Sequence, residues 1–296
     1  MSRILTAILT LLCASTWAAM PFLSIESPAA YYADRDCVVE LRAPEGVKSI
    51  SWNLRSFNRT VAAGQVAADA GGKFRIKFHF PKLNDGVIAS ATLTCLGPEN
   101  DALLTKELNF FPPNPFSNST KFMTEQKIEL FEADGSGRMA KLLNSLKVPF
   151  SELSGFGECS GKILIISGMD FDQYTELQND FLKLMQHGVQ KIIVVNPVSG
   201  RMPIAVSGFD QSTFTNNDII RKLNPKLDAA LPGKSLSLSV QDDSIGISVD
   251  NKNNSSKYCL FRHGKSELYI LSWDIAGLAA DSPAPVYILS KLILNQ

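Results

Sequence analysis

Six residues that could bind a ligand or support catalysis follow three of the predicted strands in the second half of the chain. They are Asp134, Ser136, Gly168, Asp170, Asn196 and Ser199. Their carboxylates, hydroxyls and carboxamide can form hydrogen bonds with polar ligands, and carboxylates can also transfer protons. Ligands of open α/β sheets bind at the carboxyl ends of the strands. We therefore take these six residues as the candidate pocket.

The elements that must position this pocket alternate between buried strands and amphipathic helices. Strands are predicted at Ile128 to Phe131, Lys162 to Ile166 and Lys191 to Val195, and a short helix at Arg138 to Leu146. Asp170 or Asp172 can cap a further helix, which Gly188 ends. A strand, helix and strand in this order predict a parallel sheet.

The rest of this half adds shorter elements. A strand is predicted at Val148 to Leu153, a weaker helix near Asn217 to Leu223, a hairpin turn at His263 to Ser266 and a closing helix at Pro285 to Leu294. Residues 125–296 are thus expected to form a three-layer α/β domain with a mostly parallel sheet.

This order resembles the flavodoxin-like domain of the class I glutamine amidotransferase superfamily. The resemblance covers Lys127 to Gln296 and rests on the architecture, the loop Gly168-Met169-Asp170, the helix end His187-Gly188 and the final hairpin and helix. It implies a flavodoxin-like fold. The superfamily includes noncatalytic relatives attached to carbohydrate-processing and surface proteins.

The catalytic residues of that superfamily are not found at the expected positions. A nucleophilic cysteine should follow the strand that matches Lys191 to Val195, where this chain reads Asn196-Pro197-Val198-Ser199-Gly200. The histidine and glutamate should follow the last hairpin strand, where it reads Ser272-Trp273-Asp274. The resemblance therefore implies a noncatalytic domain, and we assign no catalytic residue.

Residues 20–111 show the period-two alternation of strands. Apolar side chains at Phe74, Ile76, Phe78 and Phe80 alternate with polar ones. Several such runs, separated by turn formers, predict an all-β sandwich. Cys37, Trp52 and Cys95 fall on inward positions and resemble the core of immunoglobulin-like domains, which implies a Cys37–Cys95 disulfide packed against Trp52. Two buried thiols are the alternative.

The stretch 112–124, rich in proline and asparagine, joins the two halves and is expected to be a semi-stiff linker. Residues 1–19 resemble a secretory signal, with Arg3 before an apolar run and Thr16 and Ala18 at a cleavage site. A retained membrane anchor is the alternative, but the apolar run is short for a bilayer. We expect an exported bacterial protein, periplasmic or extracellular, with no transmembrane segment after cleavage.

Charge and composition exclude several functions. The chain has 29 basic and 29 acidic residues and no basic stripe, which argues against nucleic acid as a partner. Its three histidines are scattered, so no metal site is predicted. The turn Asp134 to Gly137 lacks the third glycine of a dinucleotide site and the lysine of a P-loop, so no cofactor is expected. Whether Cys159 and Cys259 pair is left open.

The leading hypothesis is an exported two-domain protein with a noncatalytic role. Its α/β domain would be a binding or assembly module for a protein or carbohydrate ligand, linked to carbohydrate processing or the cell envelope. One alternative is a hydrolase with a relocated site that uses Asp170 or Asp172 with Ser199. Another is a purely structural envelope protein without a pocket.

Overall fold

A computed structural model describes residues 23–25, 29–84, 87–205, 208–213, 237–241, 246–250 and 258–294. The expected signal segment 1–19 and the helix expected near Asn217 to Leu223 lie outside the described residues. The chain divides into two compact units. The first contains the described parts of Met1–Ser27, with Asp36–His79 and Ser90–Leu108, and the second contains Pro28–Arg35, Phe80–Ala89 and Asn109–Gln296.

The N-terminal part of the chain is built from strands that form two sheets. The strands are β1 Ser24–Ile25, β2 Ala30–Tyr32, β3 Asp36–Arg42, β4 Ser49–Ser56, β5 Arg59–Ala67, β6 Lys73–His79, β7 Ala89–Leu96 and β8 Ala102–Phe111. One sheet has the order β1-β3-β6 and the other β2-β8-β7-β4-β5.

Alternating side chains of these strands form the core of the first unit. Phe74, Ile76 and Phe78 are buried on β6, whereas the basic residues between them are not, which confirms the predicted alternation. Trp52 of β4 contacts Phe78, with 6.3 Å between ring centroids. Because β4 and β6 belong to different sheets, this contact identifies a β-sandwich core between the two sheets.

The second unit contains the helices and a larger sheet. The helices are α1 Thr120–Gln126, α2 Arg138–Ser145, α3 Leu177–Gln186, α4 Ile275–Leu278 and α5 Ala284–Leu294. The strands are β9 Ile128–Glu132, β10 Ser151–Glu152, β11 Ile163–Ser167, β12 Lys191–Val195, β13 Arg201–Pro203, β14 Gln211–Thr213, β15 Ser237–Gln241, β16 Gly246–Asp250, β17 Tyr258–His263 and β18 Ser266–Leu271.

Seven of these strands form one sheet in the order β10-β9-β11-β12-β18-β17-β14. Adjacent strands from β10 to β18 pair in parallel, whereas β17 and β14 add antiparallel strands at one edge. The parallel pairing predicted for β11 and β12 is confirmed. In chain order the five parallel strands have the arrangement 2-1-3-4-5. Three further strands form a separate small sheet, β13-β16-β15.

Each central strand is buried on both faces, so its successive side chains enter two different cores. Ile165 and Ile193 pack with residues of α1, α2 and α5 on one face. Ile166 and Val194 pack with residues of α3 on the other. A strand covered on both faces has no polar side, which explains the uninterrupted apolar runs in the sequence.

Residues 112–124, expected to be a linker, take part in the packing of the second unit. Phe116 and Met123 are buried in the core beside α5. Asn114 donates from Nδ2 to the carbonyl of Leu146, and Tyr287 donates from its hydroxyl to the carbonyl of Pro112.

Two predicted elements have different bounds in the structure. The strand expected at Val148 to Leu153 is reduced to β10. The helix expected from Asp170 begins instead as a short 3-10 turn, Phe171–Gln173, and α3 starts only at Leu177. Asp170 caps the short turn, because its side chain accepts a hydrogen bond from the N–H of Asp172. Asp170 is therefore not the cap of α3. Among the described residues, no helix is long and apolar enough to cross a membrane.

Candidate functional site

The turns after β9 and β11 contact each other through Asp134 and Gly168. Asp134 follows β9 and accepts from the N–H of Ser136 at 3.0 Å. A Cβ atom on Gly168 would lie 2.4 Å from Asp134 Cγ, and the φ angle of Gly168 is +69°. Only glycine permits both this contact and this conformation at low cost. The N–H of Gly168 also donates to the carbonyl of Val195, which joins the end of β12 to the same edge.

Arg138 and Asp274 are functional candidates that the sequence reasoning missed. Arg138 begins α2, and its Nη1 lies 2.8 Å from Asp274 Oδ2, in the segment after β18. Its Nη2 lies 3.9 Å from Asp134 Oδ2. The guanidinium is therefore placed between carboxylates that follow two different parallel strands. The position of Arg138 at the start of the helix after β9 was the available signal, because helix starts lie at this edge of the sheet.

Asp274 also organises the segment that follows β18. Its Oδ1 accepts from the N–H of Gly277 at 2.9 Å and thereby caps α4. The preceding residue, Trp273, is buried against Tyr258, with 5.8 Å between ring centroids. Within the described part of the chain, the Nε1 of Trp273 has no hydrogen-bond partner. Asp274 is thus held in place by buried Trp273 before it and by its hydrogen bond to Gly277 after it.

Asn196 occupies the position directly after β12. Its φ angle is +49°, in the left-handed region, and its side chain is buried. Its N–H donates to the carbonyls of Leu271 and Trp273, both at 3.1 Å. The turn after β12 is therefore anchored to the end of β18.

Asp170 and Ser199 lie side by side in the turns after β11 and β12. They form an isolated parallel β-bridge, and the N–H of Phe171 donates to the carbonyl of Ser199 at 3.0 Å. Both carboxylate oxygens of Asp170 accept hydrogen bonds, from Asp172 N and from Gln173 Nε2. Burial raises the pKa of Tyr174, and the charge of Asp170 raises it further.

Asp172, the other acid of the hydrolase alternative, is likewise engaged by the main chain. Its Oδ1 accepts from the N–H of Arg201 at 3.0 Å. A Cβ atom on Gly200 would lie 2.5 Å from the amide nitrogen of Asp172, so the two turns are in close contact. Both aspartates therefore hold backbone in place.

Five of the six candidate residues fall into two groups in the structure. Asp134, Gly168 and Asn196 form the first group, in the turns that follow β9, β11 and β12, and Arg138 and Asp274 lie at the same edge of the sheet. Asp170 and Ser199 form the second group. Ser136 accepts from the N–H of Arg138 at 3.3 Å and so belongs to the turn before α2. Among the described residues, no cluster of three or more histidine, cysteine or acidic side chains could hold a metal ion.

A cavity of about 100 Å³ lies elsewhere in the second unit, near β14. Ile204, Phe209, Ser212 and Phe261 are among the residues that line it, and none of the six candidate residues does. Its lining is mainly apolar, whereas the candidate site is polar.

The cysteines do not form the predicted disulfide. Cys37 and Cys95 are both buried thiols that the structure does not join by a disulfide bond. The sequence pattern places both side chains between the sheets, but a bond also requires a Cβ separation of about 3.8 Å, which alternation does not determine. Cys159 and Cys259 are not bridged either. Burial raises the pKa of Cys95 and of Cys259 to about 12.

Glu129 is a buried acid at the opposite end of the sheet. It accepts hydrogen bonds from the N–H groups of Ser160 and Gly161, at 2.8 and 2.9 Å, and from Ser160 Oγ. Burial acts to raise the pKa of Glu129, but these bonds and one from the Cys159 thiol outweigh it and lower the pKa. Burial, and then this bond to Glu129, raise the pKa of Cys159 to about 12. This arrangement is structural.

Comparison with known proteins gives no family. No protein-family model matches the chain, and no curated protein matches it. Among solved structures, it is similar to the superoxide reductase (neelaredoxin) from Ignicoccus hospitalis, at 14% identity and a TM-score of 0.23, over 30% of this chain and 80% of that one. It is also similar to fibronectin(III)-like modules of Clostridium thermocellum CbhA, at 7% identity and a TM-score of 0.23, over 31% and 96%. These likenesses are too weak to support a function.

Proposed function

We propose that this chain is an exported two-domain protein whose C-terminal α/β domain is a noncatalytic binding or assembly module. In this proposal the C-terminal domain is flavodoxin-like and related to class I glutamine amidotransferases, and the N-terminal sandwich is immunoglobulin-like. The strand arrangement 2-1-3-4-5 supports the first assignment, because it is the flavodoxin-like order. The contact of Trp52 with Phe78 between two sheets supports the second.

The single observation that carries the noncatalytic proposal is the conformation of Asn196. The left-handed turn after β12 is formed, and its N–H is anchored to Leu271 and Trp273, but its side chain is a carboxamide. A carboxamide is not among the side chains that serve as covalent nucleophiles. The left-handed backbone of this turn is thus combined with a buried, unreactive side chain, which favours binding over chemistry.

The polar groups at this edge suit a ligand rich in hydroxyl groups. Arg138 supplies N–H donors, whereas Asp134 and Asp274 supply acceptors. A sugar hydroxyl both donates and accepts, so adjacent donors and acceptors can bind it. We therefore propose a carbohydrate ligand, in line with carbohydrate processing or the cell envelope, and place a protein ligand second.

Binding of defined oligosaccharides tests this proposal. Cellohexaose and the hexamer of N-acetylglucosamine are titrated calorimetrically into the protein, its Arg138→Gln variant and a Lys141→Gln control on the exposed side of the same helix. We expect one sugar to bind to the parent and the control, and binding to weaken at least about tenfold in Arg138→Gln. Equal binding by all three proteins, or by none, would contradict a carbohydrate site at Arg138.

A hydrolase with a relocated site is the second candidate, because the β-bridge places Asp170 beside Ser199. A serine nucleophile needs a base to accept its proton, and both oxygens of Asp170 already accept other hydrogen bonds. Hydrolysis of p-nitrophenyl acetate by the parent and by Ser199→Ala separates the two functions. A loss of activity in the variant would support the hydrolase and overturn the noncatalytic proposal.

Export is tested by expression of the full chain in a bacterial host. We expect the protein in the periplasm or the medium, with an N-terminus near residue 19 or 20. An intact N-terminus in the membrane fraction would instead indicate the retained anchor.

A further inference from the structure

The strand β5 is an edge strand that lacks the usual protection against pairing. It is the last strand of the order β2-β8-β7-β4-β5 and has nine residues. Residues from Thr60 to Ala67 include no charge and no proline. Sheet edges that stay unpaired are normally short, charged or interrupted by proline.

The other edges of the two N-terminal sheets do carry such protection. β1 and β2 have only two and three residues. β6 carries Lys73, Arg75 and Lys77. β5 has one irregularity, a register shift opposite Leu54 and Arg55, close to its hairpin turn. The part of β5 beyond that shift pairs regularly with β4. Residues of β6 come close to β5, but within the described residues no strand pairs with its outer edge.

The backbone register shows which groups of β5 point outward. The N–H of Ala68 donates to the carbonyl of Lys48, which makes these two residues a hydrogen-bonded pair. Such pairs alternate along an antiparallel ladder, so Val66, Gly64 and Ala62 also direct their N–H and carbonyl groups toward β4. The N–H and carbonyl groups of Ala63, Gln65 and Ala67 must therefore point away from the sheet, and among the described residues no strand other than β4 pairs with β5.

The side chains of β5 permit close approach of another strand. Ala63, Gln65 and Ala67 are exposed, and two of them are small. On the inner face, Gly64 leaves room for the indole of Trp52, because a Cβ atom there would lie 3.1 Å from Trp52 Cζ2. Because Ala63 and Ala67 are small, a partner strand would contact mainly the backbone of β5, which gives little selection for particular side chains.

We propose that β5 pairs antiparallel with β5 of a second copy of this chain, around a two-fold axis at Gln65. In this register Ala63 lies opposite Ala67 of the second copy, and Gln65 lies opposite Gln65. All three outward-facing residues are then used, with about six backbone hydrogen bonds. The two facing carboxamides can donate to and accept from each other. Both copies use the same strand in this contact, and the outer edge of β5 is then paired in both. Assembly therefore stops at a dimer.

The charges at the two ends of the strand favour this second copy and this direction. Arg59 begins β5, and Asp69 lies two residues beyond its end, where its side chain is exposed. An antiparallel arrangement brings Arg59 of each copy toward Asp69 of the other, beside which Lys48 and Lys73 also lie. A parallel arrangement would bring like charges together.

Sedimentation velocity from about 1 to about 100 µM tests the proposal on the full chain. We expect a reversible monomer–dimer equilibrium in the parent protein. Gln65→Lys and Gln65→Glu should each weaken the dimer at least about tenfold, because like charges then face each other at the two-fold axis. A mixture of the two variants should dimerise again, since opposite charges then meet. Thr92→Lys, at an exposed position of the interior strand β7, is the control and should dimerise like the parent.

Hydrogen exchange provides a second readout. The amides of Ala63, Gln65 and Ala67 should become protected as the protein concentration rises, whereas the protection of Gly64 and Val66 should change little. A parent protein that stays monomeric, or a dimer that survives in both single variants, would overturn the proposal. Rescue in the mixed sample excludes loss of folding as the cause, because an unfolded variant could not be rescued by the other.

Discussion

Arg138 donates a hydrogen bond to Asp274 across 136 residues of sequence, with 2.8 Å between Nη1 and Oδ2. The two residues follow β9 and β18, which are separated in the sheet by β11 and β12. The pair therefore reaches across the middle of the carboxyl edge. The proposed carbohydrate site lies around this pair.

The Arg138–Asp274 pair should contribute modestly to stability. Both side chains are partly exposed, at 47% and 34%, so solvent screens their attraction. We expect Arg138→Gln to lower the free energy of unfolding by about 0.5 to 1 kcal/mol, less so at high salt. Asp274→Ala should cost more, because it also removes the cap on Gly277. Urea unfolding measures both, and a larger effect of Arg138→Gln would contradict this ranking.

Replacement of Gly168 by alanine should disrupt the candidate site. The new Cβ would lie 2.4 Å from Asp134 Cγ in a left-handed backbone, so we expect a loss of about 3 kcal/mol. Gly135→Ala is a matched control: its φ is +60°, but no atom lies within 4 Å of the added Cβ, so only about 1 kcal/mol should be lost. Chemical denaturation gives both values. Adding Asp134→Gly to the Gly168→Ala variant should recover part of the lost free energy of unfolding. If nothing is recovered, Asp134 is not what obstructs the added Cβ atom.

Asn196 should tolerate glycine better than alanine. At a φ of +49°, alanine incurs a left-handed penalty of about 1 kcal/mol, whereas glycine does not. The free energies of unfolding of Asn196→Ala and Asn196→Gly measure this difference. If alanine proved as stable as glycine, the turn after β12 would not have the left-handed conformation, and the main support for the noncatalytic proposal would be lost.

Acid should destabilise the protein through Glu129. Its pKa is lowered in the folded state, so the unfolded state binds the proton first and stability falls as the pH decreases. The loss should begin near the ordinary glutamate pKa of about 4.3 and continue through the lowered value. Glu129→Gln should cost about 2 kcal/mol at neutral pH and make this part of the pH dependence disappear. Glu152→Gln, at an exposed position of β10, is the control and should leave the free energy of unfolding at neutral pH nearly unchanged.

The buried thiols should resist alkylation in the native protein. With a pKa of about 12, Cys95 and Cys259 carry almost no thiolate at about pH 8. Iodoacetamide should therefore label them only after unfolding, and this labelling should need no reductant. Peptide mass mapping reads the result. If Cys37 and Cys95 were labelled only after reduction, the disulfide that the immunoglobulin-like pattern implied would be present after all.

The sequence by itself determined several local elements of this protein. Alternation identified the buried residues of β6, uninterrupted apolar runs identified β11 and β12, and Gly188 marked the end of α3. These features depend on interactions between residues close in the chain, which periodicity and turn chemistry record directly. For the same reason, the candidate site residues could be assigned from sequence to the turns that follow β9, β11 and β12.

Only the tertiary structure decided which distant groups meet. It placed Arg138 beside Asp274 and brought Glu129 within hydrogen-bond distance of Ser160 and Gly161. It also placed Phe116 in the core of the second unit, and it did not join Cys37 and Cys95 by a disulfide bond. Each of these outcomes depends on the order of strands in a sheet or on a separation of a few ångströms between elements. Side-chain periodicity fixes which face a residue occupies, but not which residue of another element lies opposite it.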